Sequence, residues 1–377
     1  MYIYELTKWP ELSWDQAALT GLLADARHRQ GKLLGQMTAL GFSVQNEANL
    51  QALTEDAVRT SEIEGQKVDA GQARSSIARR LGMDEKGLSS VHREVEGIAE
   101  VLTDAAGHYE APLSESRLAG WHAALFPAGR SGMRKITPGA WRTDASGPMQ
   151  VVSGPMGREN IHYEAPAANR LPDEMARFIE WFNADQRMDK VLAAALAHFW
   201  FVTIHPFEDG NGRIARAIAD MMLARSEKSP RRFYSMSSQI QRERNAYYEI
   251  LERSQKSSLD ITPWMVWFLG CFNRAVEASE EILESVLFKA RFWEAHAGES
   301  FNERQKTVIL MLLGDFKGGL TSSKWAKLAK CSQDTALRDI TDLVSREILQ
   351  KDEAGGRSTN YHLLLPGGIR RLTAKEK

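Results

Sequence analysis

The sequence predicts a mainly α-helical protein. A helical core carries one small β-hairpin, with a helical domain before it and a winged-helix-like module after it. Three observations carry this expectation. An apolar run, Val191 to Ile204, is followed by a glycine-bearing segment and then by Ile214, Ala217, Ile218, Met221 and Met222 at 3–4 spacing, which reads as buried helix, short loop, second helix. The first 110 or so residues repeat that helical spacing, and the last 77 read as helix, helix, helix and hairpin.

Residues 1–110 form the expected N-terminal helical domain. Trp9-Pro10 and Trp14 give it an aromatic start, and a helix runs from about Asp15 to Leu40, stopped by Gly41. A second helix, about residues 46–65, places Leu50, Leu53 and Ala57 on one face. It ends in Thr60-Ser61-Glu62-Ile63-Glu64-Gly65, where Gly65 suits a C-cap. Glu64 then lies at the end of a helix whose dipole disfavours an anion by about 0.3–1 kcal/mol, so a nearby cation would offset the cost. On these residues alone, Glu64 reads as solvent-exposed.

Residues 111–280 form the expected core. Trp121-His122 and Leu125-Phe126 read as a buried helix end, and Pro138-Gly139-Ala140-Trp141-Arg142 follows. Met149 to Ser153, with Val151 and Val152, and Ile161-His162-Tyr163 are β-prone runs around the loop Gly154 to Asn160, which predicts a hairpin. Leu171 to Phe182 is amphipathic. Tyr247, Tyr248 and Leu251 lie on a later helix, and Thr262-Pro263-Trp264 starts another that completes the bundle. A linker helix is expected over 281–300. In the module at 301–377, Val308, Leu312 and Leu313 mark one helix, and Trp325 and Leu328 a second. The third follows Ser332 with Leu337, Ile340, Leu343 and Val344 inward; then come Ile348 to Gln350, a Gly355-Gly356-Arg357 turn and Tyr361 to Leu363.

The chemistry concentrates in His205 to Arg216, which reads His-Pro-Phe-Glu-Asp-Gly-Asn-Gly-Arg-Ile-Ala-Arg. Gly210 and Gly212 allow backbone conformations closed to other residues. The N–H groups from Gly210 to Arg213 open the next helix unpaired, which suits an anion and above all a phosphate. Arg213 and Arg216, three apart, lie on neighbouring faces near that helix start. Asp209 offers a hard oxygen ligand for Mg²⁺. His205 can accept a proton near neutral pH. A base, a metal carboxylate, an anion cradle and two guanidiniums in twelve residues point to phosphate-ester chemistry.

This run resembles the signature of the Fic (Fido-fold) family, His-Pro-Phe-x-Asp/Glu-Gly-Asn-Gly-Arg-x-x-Arg, at every fixed position. The resemblance implies a Fido-fold helical core and a protein adenylyltransferase that moves AMP from ATP to a Ser, Thr or Tyr hydroxyl of a target or of itself. It implies His205 as base, Asp209 as Mg²⁺ ligand, and Gly210, Asn211 and Gly212 as phosphate cradle with an amide contact from Asn211. Arg213 would act on the β-phosphate side and Arg216 on the γ-phosphate. Phe207 would anchor the loop and Glu208 would face solvent. By family position Tyr247 and Tyr248 would line the adenine pocket, although aromatics at that spacing also suit a core. The hairpin would be the flap that docks the target, through Val151, Val152, Ile161, His162 and Tyr163. Thr60-x-x-x-Glu64-Gly65 matches the family's inhibitory motif, Ser/Thr-x-x-x-Glu-Gly/Asn, and implies autoinhibition by a Glu64–Arg216 pair.

Composition narrows the alternatives. The 377 residues carry 48 basic and 49 acidic side chains, so whole-chain charge argues for neither nucleic acid nor membrane. Two cysteines in no metal spacing, and an N-terminus without a signal-peptide pattern, lead to a cytoplasmic expectation. From residue 301 onward 14 Lys and Arg face 9 Asp and Glu, a net of +5 that mildly favours DNA. Asp334, Asp339 and Asp342 on the third helix oppose it, so protein docking or a homodimer is the favoured role of that module. Competing readings are a deAMPylating or bifunctional enzyme, a DNA-binding regulator on a Fic core, and a phosphohydrolase with metal on His198, His205 and Asp209. The last would want more converging ligands than this stretch shows.

Overall fold

The computed structural model describes residues 1–83, 91–145, 147–154, 158, 160–184, 187–313, 316, 318–352 and 359–364. The expected Gly355-Gly356-Arg357 turn, and most of the loop between the hairpin strands, lie outside these. Two compact units divide the chain, Met1–Ile282 and Leu283–Lys377.

The first unit is built from helices. They are α1 (Gln16–Thr38), α2 (Phe42–Ile63), α3 (Ala70–Arg80), α4 (Arg93–Gly107), α5 (Glu115–Leu125), α6 (Leu171–Asn183), α7 (Lys190–Ile204), α8 (Asn211–Glu227), α9 (Met236–Arg242), α10 (Arg244–Gln255) and the first part of α11 (Thr262–Ala295). Two antiparallel hairpins interrupt them: β1 (Arg130–Ser131) with β2 (Arg134–Lys135), and β3 (Gln150–Ser153) with β4 (Asn160–Glu164). Every α7 residue from Val191 to Ile204 is buried, which follows from its almost wholly apolar run. Asp189 starts that helix by accepting from the Val191 N–H at 2.8 Å. α8 packs along α7 and buries Ile214, Ala217, Ile218, Met221 and Met222.

α2 starts at Phe42 rather than near Asn46, because Gly41 acts as its N-cap instead of only stopping α1. Its other end closes as a Schellman turn. Gly65 takes φ +77°, its N–H donates to Glu62 O at 3.0 Å, and the Gln66 N–H donates to Ser61 O at 2.9 Å. Earlier on α2, the buried Asp56 accepts from Ser235 Oγ at 2.6 Å and the Ser237 N–H at 3.1 Å, while Asn49 Oδ1 accepts from the Arg232 N–H at 2.8 Å. Arg232, itself buried, donates to Asp220 of α8 at 2.9 Å. This polar seam ties α2 to the segment after α8. The N-terminal segment is tied down as well. Trp9 Nε1 donates to Glu174 of α6 at 2.9 Å, and the Ile261 N–H donates to Ser13 O at 2.8 Å.

α11 is one helix where two had been expected, since no glycine or proline occurs between Cys271 and Ala295 to end it. The second unit contains α12 (Glu303–Leu313), α13 (Ser322–Leu328), α14 (Gln333–Ser345) and the antiparallel pair β5 (Leu349–Lys351) and β6 (Tyr361–Leu363). Val308, Leu313, Trp325, Ile340, Leu343 and Leu349 centre its core. Leu337 is corrected: it is 50% exposed, because Ala336, Ile340 and Leu343 set the buried stripe and the next residue turns about 100° away. Asp339 is also corrected. It is buried, and accepts from Arg304 Nε at 2.8 Å and Asn302 Nδ2 at 3.0 Å rather than facing outward. No helix among the described residues is long and apolar enough to cross a membrane.

Candidate functional site

The loop from α7 to α8 is shaped by its own residues. His205 ends α7 in the left-handed region, φ 53° and ψ 58°, a conformation uncommon for a non-glycine residue. Phe207 is fully buried and its ring stacks on His122 at 4.1 Å. Asn211 laces the turn: Oδ1 accepts from the Phe207 N–H at 2.9 Å and Nδ2 donates to Phe207 O at 2.8 Å. Its amide therefore shapes the loop. Gly210 has two reasons to be glycine. Its φ is +79°, and a Cβ there would lie 2.8 Å from Phe126 Cε2.

His205 Nδ1 lies 3.2 Å from Val202 O. A carbonyl only accepts, so Nδ1 carries the proton and Nε2 holds the lone pair. Burial pushes the pKa of His205 down to about 4, against a weaker upward pull from the Val202 carbonyl, so the ring is neutral near pH 7. His122 is lowered to about 4 and His198 to about 3, both chiefly by burial.

Neutral burial of these rings links stability to pH. The unfolded chain takes up protons first, at about 6.5, so this contribution is complete above that value and is lost as pH falls toward 4. His198 Nε2 pairs with the Tyr247 hydroxyl at 2.9 Å. A His198→Gln variant, which keeps an amide for Tyr247, is expected to lose Tm less steeply than wild type between about pH 7 and about pH 5. Parallel Tm curves would show that His198 contributes nothing to the acid limb.

Both signature arginines are buried and both meet the end of α2. Arg216 Nε donates to Thr60 Oγ1 at 2.7 Å, and Nη2 donates to Thr60 O at 3.1 Å and Glu64 Oε1 at 2.7 Å. Burial works against the Arg216 cation, but Glu64 together with Tyr247 and Tyr248 outweighs it, so its pKa is raised. Arg213 Nη1 donates to Gln66 Oε1 at 3.0 Å, and the guanidinium lies over the Phe126 ring, 4.8 Å from its centroid. Arg213 Nε is buried with no hydrogen-bond partner among the described residues. Glu64 Oε1 rests against Gly212 so closely that any Cβ there would overlap it. A carboxylate thus occupies the N-terminal end of α8, where the helix dipole and free N–H groups attract an anion. Glu64 is exposed, as its residues alone suggested, but its carboxylate is paired with Arg216.

Asp209 takes a hydrogen bond from Ser131 Oγ at the β1–β2 hairpin, and its Oδ1 accepts from the Gly210 N–H at 2.5 Å. Glu208, expected in solvent, is partly buried and accepts from the Thr137 N–H at 2.9 Å. Tyr163 of the larger hairpin is buried and donates to Thr203 O at 2.6 Å, so it anchors β4 to α7. His162 Nδ1 pairs with Glu252 of α10 at 2.7 Å, while Val152 and Ile161 are exposed. Tyr247 is buried, whereas Tyr248 is exposed and donates to Ile63 O at 3.1 Å. Ser131 and Gln66 were not singled out from the sequence, and His122, read as part of a buried helix end, is buried. Only Gln66, two residues beyond Glu64, carried a positional hint. Among the described residues, no group of three or more His, Cys, Asp or Glu is placed to hold a metal ion.

A family model described as the Fic/DOC family matches residues 112–223, the span holding both hairpins, α7 and most of α8. Residues 112–223 are a Fic/DOC domain. Residues 2–83, ahead of the Fic domain, match a domain of unknown function, DUF4172. The chain is 28% identical over 222 residues to the protein adenylyltransferase Fic of Culex quinquefasciatus, covering 57% of this chain and 39% of that relative. It is 24% identical over 256 residues to the protein of the same name in Drosophila yakuba, covering 66% and 46%. The chain thus spans less than half the length of these relatives. Two crystal structures share the fold: a Fic family protein of Desulfovibrio desulfuricans (TM-score 0.52, 20% identity, 96% of this chain and 100% of that one), and a Fic domain containing signaling protein of Bacteroides thetaiotaomicron (TM-score 0.52, 20%, 69% and 97%).

Proposed function

We propose that this protein is an adenylyltransferase that moves AMP from ATP to a protein hydroxyl, and that Glu64 holds it in check. The observation that carries the reading is the Glu64 carboxylate lodged at the start of α8 against Arg216, because a group that binds one anion there suits another. The names of the curated relatives support the same activity.

In this mechanism the target's Ser, Thr or Tyr hydroxyl meets His205 Nε2, which takes its proton as the oxygen attacks the α-phosphorus of ATP. The bond from the α-phosphorus to the bridging oxygen breaks, and pyrophosphate leaves. The N–H groups at the start of α8 bind phosphate oxygens. Arg213, whose Nε has a bond to give, offsets charge on the departing pyrophosphate. Arg216 grips the γ-phosphate once Glu64 is withdrawn. Asp209, a carboxylate met by the Ser131 hydroxyl and the Gly210 amide, fits as the protein ligand of Mg²⁺, an ion usually held by one or two carboxylates plus substrate phosphates. Mg²⁺ would neutralise phosphate charge there. The β3–β4 hairpin offers exposed Val152 and Ile161 beside a strand edge, which suits docking of an extended target segment.

The test is incubation of wild type and Glu64→Gly with each nucleoside triphosphate labelled at the α-phosphate. Transfer of label from ATP to protein in the presence of Mg²⁺ is expected, more strongly for Glu64→Gly. Absence of transfer from any nucleotide in either form would refute the reading.

A further inference from the structure

Arg142 lies outside the signature, yet its guanidinium is almost wholly buried beside the proposed base. Nε donates to His205 O at 2.8 Å, and the Arg142 backbone N–H donates to Pro206 O at 2.9 Å. Nη2 donates to Pro166 O at 2.5 Å, just beyond β4, and Nη1 pairs with Asp144 at 3.1 Å. Asp144 in turn accepts from the Ala168 N–H at 2.6 Å, so the same carboxylate reaches the chain that follows the hairpin. One side chain therefore holds two backbone positions that the reaction needs in fixed relation: the residue bearing the base and the root of the hairpin that would hold the target.

The need for such a clamp is visible in the backbone. His205 sits in the left-handed region, a conformation that is strained for a non-glycine residue and persists only where its surroundings over-determine it. Two donors from Arg142 fall on the carbonyls of His205 and Pro206. The lone pair on Nε2 is aimed by that backbone, since Nδ1 is already bonded to Val202 O.

We propose that Arg142 is a positioning residue for the transfer reaction, clamping His205 to the root of the β3–β4 hairpin. This rests on the adenylyltransferase reading and adds to it a residue that touches neither nucleotide nor target. A lysine at this position keeps the charge but lacks the planar fork that serves the His205 and Pro166 carbonyls together. Misplacement of a reacting group by about 1 Å costs about 100-fold in rate.

The experiment uses the full chain carrying Glu64→Gly as parent, with Arg142→Lys and Arg142→Gln added singly. Auto-labelling from ATP labelled at the α-phosphate is followed against ATP concentration, which separates the maximal rate from the half-saturating concentration. Tm is measured in parallel. We expect the maximal rate to fall about 100-fold for Arg142→Lys and further for Arg142→Gln, with half-saturating ATP within about twofold of the parent. An Arg142→Lys protein that labels at the parent's rate would overturn the proposal. So would equal losses of rate, ATP binding and Tm, which mark a merely structural role. A parent that never labels would overturn the adenylyltransferase reading, and this inference with it.

Discussion

His205→Ala is expected to lower AMP transfer by about 100- to 10,000-fold while ATP still binds, the range a positioned general base contributes. The two effects separate because the groups assigned to them separate. The proposed base is the free Nε2 of a ring held neutral by burial, and it lies at the end of α7. The proposed nucleotide grip is the start of α8 with Arg213 and Arg216, which donate to Gln66, Thr60 and Glu64 rather than to that ring. Removing an imidazole at a helix end leaves the Asn211 lacing of the loop intact. The check is paired: label transfer from ATP, and ATP affinity by calorimetry, both in the Glu64→Gly background. Transfer that persists at the parent's rate would remove His205 as base. Loss of ATP binding together with transfer would mean that the substitution collapsed the loop.

Glu64→Gly is expected to raise auto-labelling about 5- to 150-fold, the span of a coupling free energy of about 1–3 kcal/mol. The substitution removes the carboxylate that both pairs with Arg216 and occupies the start of α8. Arg216 keeps its two bonds to Thr60, so its guanidinium stays in place for a phosphate. Glu64→Gln keeps the bulk and loses the charge, and should fall between wild type and Glu64→Gly. Initial rates at saturating ATP and Mg²⁺ decide the matter. Rates for Glu64→Gly equal to wild type would sink autoinhibition by this residue.

Much of this site was legible because its residues are consecutive. A run from His205 to Arg216 fixes the proposed base, the loop and the arginines by covalent connection, and the α7 and α8 patterns on either side fix the helices that carry them. Contacts across long sequence separations were harder. Glu64 reaches Arg216 across 152 residues, and only the resemblance of the Thr60–Gly65 motif suggested the pairing. Ser131 on Asp209, and Arg142 on His205, left no periodicity to read, since each depends on how a short hairpin or loop folds back. Helix existence was legible and helix ends less so. Gly41 reads equally well as the stop of α1 and the cap of α2, and it proved to serve the latter. On α14, Leu337 illustrates the limit of a hydrophobic pattern, because an apolar residue beside a stripe does not have to join it.

The seam at Asp56 has a consequence for how Arg216 can be uncovered. Asn49 and Asp56 fasten the middle of α2 to the chain between Arg232 and Ser237, while Thr60, Glu64 and Gln66 reach the arginines. The helix is bolted at its waist, and its tip is the proposed latch. In the proposed autoinhibition, opening would call for fraying of roughly one turn beyond Asp56, held by the Ser61 and Glu62 carbonyls and by the Tyr248 hydroxyl on Ile63 O, and would leave the rest of the rod where it stands.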